Sequence, residues 1–274
     1  QGLENGVNLF HNDNFGEWIR VRGNHLTRSG APAVNPAIGE ATGIFLSDNP
    51  TFMDGQSGAT YATITNSEIS GYSIGIYTNR TGLNDIEILV GGDNPGLSTT
   101  IRNCETGIKV NGASRARVRN NAYSIVDCKI GVEVYGADCL IEGNAIYNNQ
   151  IGVKVYDKPG YTGTARVISN RIYNNSVANV QNLSAKAGNV VNAEYDWWGG
   201  SDETTVRSRI DAGTQGVDYS PWLNSDADTD LDLINGFQGV QSAVNVSAQN
   251  MQKDTYGKIQ EAVDNPLVQT IIVH

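Results

Sequence analysis

Four aspartates at alternate positions, Asp226, Asp228, Asp230 and Asp232, stand near the end of this 274-residue sequence. Carboxylates at every second position are how calcium loops gather oxygen ligands around a hard cation. A loop of the EF-hand type opening at Asp226 would want glycine at position 231 and glutamate at 237, where Leu231 and Phe237 stand. Two readings follow: a Ca²⁺ site, or a solvated acidic linker between modules. Ca²⁺ is the one cofactor the residues suggest.

Other sets are less directed. Arg115, Arg117 and Arg119 alternate, as do Arg20 and Arg22, so each set can share one strand face and meet an anionic glycan or an acidic neighbour. Tyr195, Trp197, Trp198, Tyr219 and Trp222 cluster late in the chain, where they can stack on sugars or close a core. Asp138 and Glu142 are close, but nothing positions a catalytic partner for them. Three histidines, His11, His25 and His274, and three cysteines give no Cys/His metal spacing. No catalytic residue is assigned.

The elements that must carry these residues come from an internal repeat. Ile141–Val155 contains Asn144-Ala145-Ile146-Tyr147-Asn148-Asn149, and Val167–Val180 repeats it as Asn170-Arg171-Ile172-Tyr173-Asn174-Asn175. Aligned on the glycine of a Gly-Ile/Val-x-Val tail, copies fall at Gly43, Gly75, Gly107, Gly131 and Gly152, with a last one at Ala178. A period in the low twenties with insertions predicts a solenoid in which each repeat is one coil and the extra residues leave as loops, as at 29–42, 47–60 and 79–100. The alternating tails predict short strands with one buried face.

Like residues then fall into files. Asn103, Asp127, Asn148 and Asn174 share one column, and Cys104 and Cys128 precede Asn149 and Asn175 in the next. Parallel coils stacked at ~4.8 Å produce such ladders. Cys104 and Cys128 are expected as buried free thiols. A further column, Asn24, Asn121, Asn144 and Asn170, is expected to take the left-handed conformation at a corner. The outward column Phe45, Tyr77, Lys109, Glu133 and Lys154 reads as a solvated cross-strand ladder.

These repeats resemble the right-handed parallel β-helix superfamily, the pectate-lyase-like solenoids that include polysaccharide lyases, phage tailspikes and bacterial surface proteins. Asn192-Ala193-Glu194-Tyr195-Asp196-Trp197-Trp198-Gly199, followed by Val217–Leu223, is similar to the closing motif of many bacterial surface repeats. The repeat spacing predicts about seven or eight coils, and the resemblance implies an all-β right-handed parallel β-helix and an extracellular, bacterial cell-surface setting. It also keeps open a carbohydrate-active or carbohydrate-binding role, as a polysaccharide lyase or glycoside hydrolase. No catalytic motif of that group can be placed on this chain.

Bulk properties agree with a solenoid. Glycine is abundant at 31 and proline scarce at 7, a composition of tight corners rather than helices. A net charge of −10 disfavours a nucleic-acid partner. No apolar run approaches the ~20 residues that span a bilayer, so membrane insertion is not expected.

The expected division is a β-helix over 1–223, an acidic linker over 224–242, and a strand-helix-strand segment over 243–274 that caps the solenoid or opens the next one. Open coils at both ends invite stacking. The expected function is therefore a structural or adhesive module, continuing head to tail with copies of itself or tandem modules into a fibre or surface array. Trp18, Arg20, Arg22, Ile259, Val263, Ile271 and Val273 are the candidate association residues, and a polysaccharide is the alternative partner.

Overall fold

The structure is a computed structural model that describes residues 7–10, 19–22, 25–27, 41–47, 60–80, 86–92, 97–113, 115–121, 125–229, 236–248 and 258–274. Three parallel sheets wind along one axis. Sheet 1 has eight strands, Val7–Phe10, Thr42–Ser47, Ile74–Asn79, Thr106–Asn111, Ile130–Tyr135, Ile151–Tyr156, Ala178–Asn182 and Ile210–Asp211. Sheet 2, also of eight, holds Ile19–Arg22, Thr60–Thr65, Ile86–Gly91, Arg115–Arg119, Cys139–Glu142, Ala165–Ile168, Val191–Asn192 and Val217–Asp218. Sheet 3 has six short strands, His25–Thr27, Glu68–Ser70, Thr100–Arg102, Ile125–Val126, Ala145–Tyr147 and Arg171–Tyr173.

Many of the inward residues of the described strands are Ile or Val, branched apolar side chains that suit a pleated surface. In sheet 1, Ile44, Ile76, Ile108, Val132, Val153 and Val180 pair in register from coil to coil. Sheet 2 stacks Ile64, Val90, Val118, Ile141 and Val167 in the same way. Sheet 3 stacks Ile69, Ile101, Ile125, Ile146 and Ile172. All are buried in one continuous core, and each such side chain contributes about 1.5–3 kcal/mol of gross burial energy. A one-residue slip would turn a whole file outward, so the register is fixed.

The repeating glycine has a steric cause. A Cβ on Gly43, Gly75, Gly107, Gly131 or Gly152 would stand 2.5–2.6 Å from a backbone carbonyl oxygen of the next coil. That close approach, rather than an unusual dihedral angle, demands glycine.

The structure corrects three sequence expectations. Residues 79–100 are not all loop, because Ile86–Gly91 is a strand of sheet 2. Its Ile86, Ile88 and Val90 alternate inward, a pattern that an alignment anchored on sheet 1 passes over. Second, Asn179 rather than Ala178 stands in the glycine file, since Ile151 pairs with Ala178 and Val153 with Val180. The extra residue forms a bulge at Val177, where the N–H groups of Val177 and Ala178 both donate to the Gln150 carbonyl at 2.8 and 3.2 Å.

Third, the left-handed conformation lies elsewhere. It is held by Asn103, Asp127, Asn148 and Asn174, with φ of 54–56°, at the corner from sheet 3 to sheet 1. At the corner from sheet 2 to sheet 3 it falls one residue before the expected column, at Asn120, Gly143, Ser169 and Tyr195. The expected residues Asn121, Asn144 and Asn170 point inward instead, fully buried. Asn24 lies outside the described residues.

Just before the last strands of sheets 1 and 2, a short helix, α1 (Glu203–Arg207), enters the chain, and it closes the core together with aromatic side chains. Asp202 caps α1 by accepting the Thr205 N–H at 2.8 Å, and Val206, Trp198, Tyr219 and Trp222 fill the end of the main core. Trp222–Leu223 then pairs antiparallel with Ala243–Val246, which pairs parallel with Thr270–Val273. Helix α2 (Lys258–Asp264) lies between those two parallel strands in the chain. Leu223, Phe237, Val244, Val246 and Ala262 form a second small core.

Candidate functional site

The C-terminal unit presents the most distinctive surface. Helix α2 turns Ala262 into the small core. Ile259 and Val263 of the same helix are 51% and 57% exposed, and Leu267 and Val273 are 60% and 58% exposed. Ile271 is half-buried against the small core. Among the described residues, Thr270–Val273 is the last strand of its sheet, paired on one side only with Ala243–Val246. Exposed apolar side chains thus lie close in the chain to a strand edge that no described strand pairs, a combination chemically suited to strand addition.

The opposite end of the solenoid carries matching edges. Val7–Phe10, Ile19–Arg22 and His25–Thr27 are the outermost described strands of sheets 1, 2 and 3. Each pairs with the following coil, at Thr42–Ser47, Thr60–Thr65 and Glu68–Ser70. Arg20 and Arg22 belong to the second of these strands, and the Arg22 side chain is exposed. Trp18 lies outside the described residues.

Of the acidic run, Asp226 and Asp228 are described, and Asp230 and Asp232 are not. Asp228 Oδ1 accepts the Gln238 N–H at 3.2 Å, and Asp228 forms an antiparallel bridge with Gly239. This ties the segment back on itself. Among the described residues there is no cluster of three or more His, Cys, Asp or Glu that could hold a metal ion. The segment after the run also packs on the solenoid: the Phe237 N–H donates to the Gly143 carbonyl at 2.7 Å, and the Arg171 guanidinium lies 5.7 Å from the Phe237 ring centre.

The outward column of sheet 1 departs from the solvated ladder expected of it. Glu133 is only 6% exposed. It accepts the Tyr156 O–H at 2.5 Å and lies 3.5 Å from Lys109 Nζ. Tyr156 stacks on Tyr135 with ring centres 4.5 Å apart. Burial and then the Glu133 hydrogen bond push the Tyr156 phenol up, so it stays a donor. The Glu133 carboxyl group is thereby occupied by a phenol and an ammonium, an arrangement that leaves little for general-base work. The signal for it was present in Tyr135 and Tyr156, one period apart, but stacking between coils is what buries the glutamate.

Two polar ladders line the corners. In the first, the Asn121 N–H and Nδ2 donate to Asn144 Oδ1 at 3.2 and 2.9 Å, and Asn144 donates likewise to Asn170 at 3.0 and 3.0 Å. Each amide also donates to a carbonyl of the preceding coil, at Val90, Val118 and Ile141. In the second, the Cys128 and Asn149 N–H groups donate to the amide oxygens of Asn149 and Asn175, both at 2.9 Å. Inside this corner the ladder places Cys104 and Cys128 as free, buried thiols. Outside, the exposed column of Asn103, Asp127, Asn148 and Asn174 flanks an open groove of about 790 Å³.

The family model described as "Right handed beta helix region" matches residues 5–194. No curated protein and no solved structure matches the chain. No helix among the described residues is long and apolar enough to cross a membrane.

Proposed function

We propose that this chain, which belongs to the right-handed β-helix family, is a structural module of an extracellular or cell-surface bacterial array that stacks head to tail on copies of itself or on tandem modules. One observation carries the reading. Ile259, Val263, Leu267 and Val273 are exposed apolar side chains of helix α2, the turn after it and the strand Thr270–Val273, whose outer edge pairs with no described strand, and a further parallel coil there would bury them and satisfy the edge.

The partner supplies what the edge lacks. An edge strand of a parallel sheet offers N–H and C=O groups along its length, and Val7–Phe10 or Ile19–Arg22 of a second copy carries the complementary edge of a parallel sheet. A contact between two different ends of the molecule is heterologous, so repetition builds a filament unless the rotation closes a ring. The exposed Arg22 and the acidic Asp226–Asp232 run add charges of opposite sign for steering.

Sedimentation of the purified chain over a range of concentrations tests this. Species larger than a monomer should appear and grow with concentration, and Ile259→Lys with Val263→Lys should return the protein to a monomer without lowering its melting temperature. A monomer at every concentration would overturn the reading. Release of reducing or unsaturated ends from a polysaccharide would replace it with the carbohydrate-active alternative.

A further inference from the structure

We propose that Cys104 and Cys128 form a two-coordinate thiolate site for a soft cation, copper(I), at the floor of the groove between sheets 3 and 1. The pairing of Ile101 with Ile125 and Arg102 with Val126 on one side, and of Thr106 with Ile130 on the other, stacks the two cysteines directly over one another. Both thiols have the same orientation. Cys104 Sγ donates to the Arg102 carbonyl at 3.4 Å and Cys128 Sγ to the Val126 carbonyl at 3.3 Å, each two residues back.

The spacing selects the chemistry. Neighbouring strands are ~4.8 Å apart, close to twice a metal–thiolate bond of ~2.3 Å, so one ion can sit between two sulfurs in line. A disulfide needs Cβ atoms about 3.5–4.5 Å apart, which the stacking step does not provide. Thiolates prefer soft ions such as copper(I) to hard ones. The protein's third cysteine does not compete, since Cys139 stacks between Ala116 and Ala165 in sheet 2 and has no second thiol above or below it.

Access and protonation are also in place. Both cysteines line the open groove with Asp127 and Lys129 beside them. Each thiol hydrogen points to a backbone carbonyl, Cys104 to Arg102 and Cys128 to Val126, and leaves that carbonyl when the metal binds. On binding, two S–H bonds break, two S–Cu bonds form, two protons pass to solvent and copper remains in the +1 state. No oxidant or reductant is consumed.

The test titrates the reduced full chain, without oxygen, with copper(I) delivered from a competing chelator. One equivalent should bind with a thiolate-to-copper charge-transfer band in the ultraviolet. Cys104→Ser and Cys128→Ser should each lose both the band and the stoichiometry, and Cys139→Ser should keep them; Ala replacements at 104 and 128 repeat the test should a Ser variant fail to fold. Equal binding by the wild type and a Cys104→Ala, Cys128→Ala double variant would overturn the proposal. So would loss of two titratable thiols on air exposure, since that would show a disulfide pair.

Discussion

Asp196 Oδ1 accepts both donors of Asn170, the backbone N–H at 2.5 Å and the side-chain Nδ2–H at 3.0 Å. A carboxyl therefore stands where Asn121, Asn144 and Asn170 place amides in the preceding coils. Those amides donate to carbonyls across the corner. Asp196 Oδ2 is buried and has no hydrogen-bond partner, so the carboxyl can complete the pattern only by keeping its proton. Desolvation, the largest cause, raises its pKa well above the ordinary value, and the charge of Glu194 acts in the same direction.

The sign of the pH dependence follows. A carboxyl whose folded pKa is raised contributes stability that is fully present below its unfolded value of ~3.9 and is lost as pH rises through the folded value. Asp196→Asn should extend the ladder with an amide and remove that loss. Denaturant midpoints of variant and wild type should be close at about pH 4 and should separate at about pH 8, with the variant the more stable. A wild type that gains on the variant as pH rises would contradict the protonated carboxyl.

Asn148 holds φ at 56° on an exposed corner. Asn148→Ala should cost about 1–2 kcal/mol, because a Cβ strains the left-handed region and alanine lacks asparagine's local compensation, whereas Asn148→Gly should be close to neutral. Denaturant unfolding at neutral pH reads the difference. Equal costs for the two substitutions would place the requirement in the side chain rather than the backbone.

Gly131 tests close approach between coils. Its Cβ would meet the Gly152 carbonyl oxygen at 2.6 Å and Ile146 Cγ2 at 3.1 Å. Gly131→Ala should destabilise by about 1–3 kcal/mol through overpacking, while the same change at Gly160, which has open space around it but a φ of 81°, should cost only the backbone strain of about 1–2 kcal/mol. Tightened packing at Gly131 should also broaden the nuclear resonances of Ile146 and Gly152, a signature Gly160→Ala would lack.

Much of the fold was legible because the files repeat. Ile108, Val132 and Val153 recur at one position of one tail, and the glycine before them marks the coil. What could not be read was which of two adjacent polar residues turns inward. Asn148 and Asn149 are the same residue type, and only the corner dihedrals decide that the first is left-handed and exposed and the second buried. The strand Ile86–Gly91 carries no Gly-Ile/Val-x-Val tail, so a repeat aligned on sheet 1 alone does not reveal it. The burial of Glu133 depends on Tyr156 of the next coil, and the docking of Phe237 on Gly143 depends on a contact between residues 94 positions apart, which no local pattern encodes. The apolar spacing of Ile259 and Val263 was legible, and their exposure is a property of the fold around them.

In head-to-tail stacking the edge at Thr270–Val273 receives a strand from a neighbouring copy. Hydrogen–deuterium exchange of the amides of Thr270–Val273, followed as protein concentration rises, measures this directly. Exchange there and in Val7–Phe10 or Ile19–Arg22 should slow together with concentration, and Ile259→Lys with Val263→Lys should abolish the slowing at both ends. Exchange at these strands that is independent of concentration would contradict head-to-tail stacking.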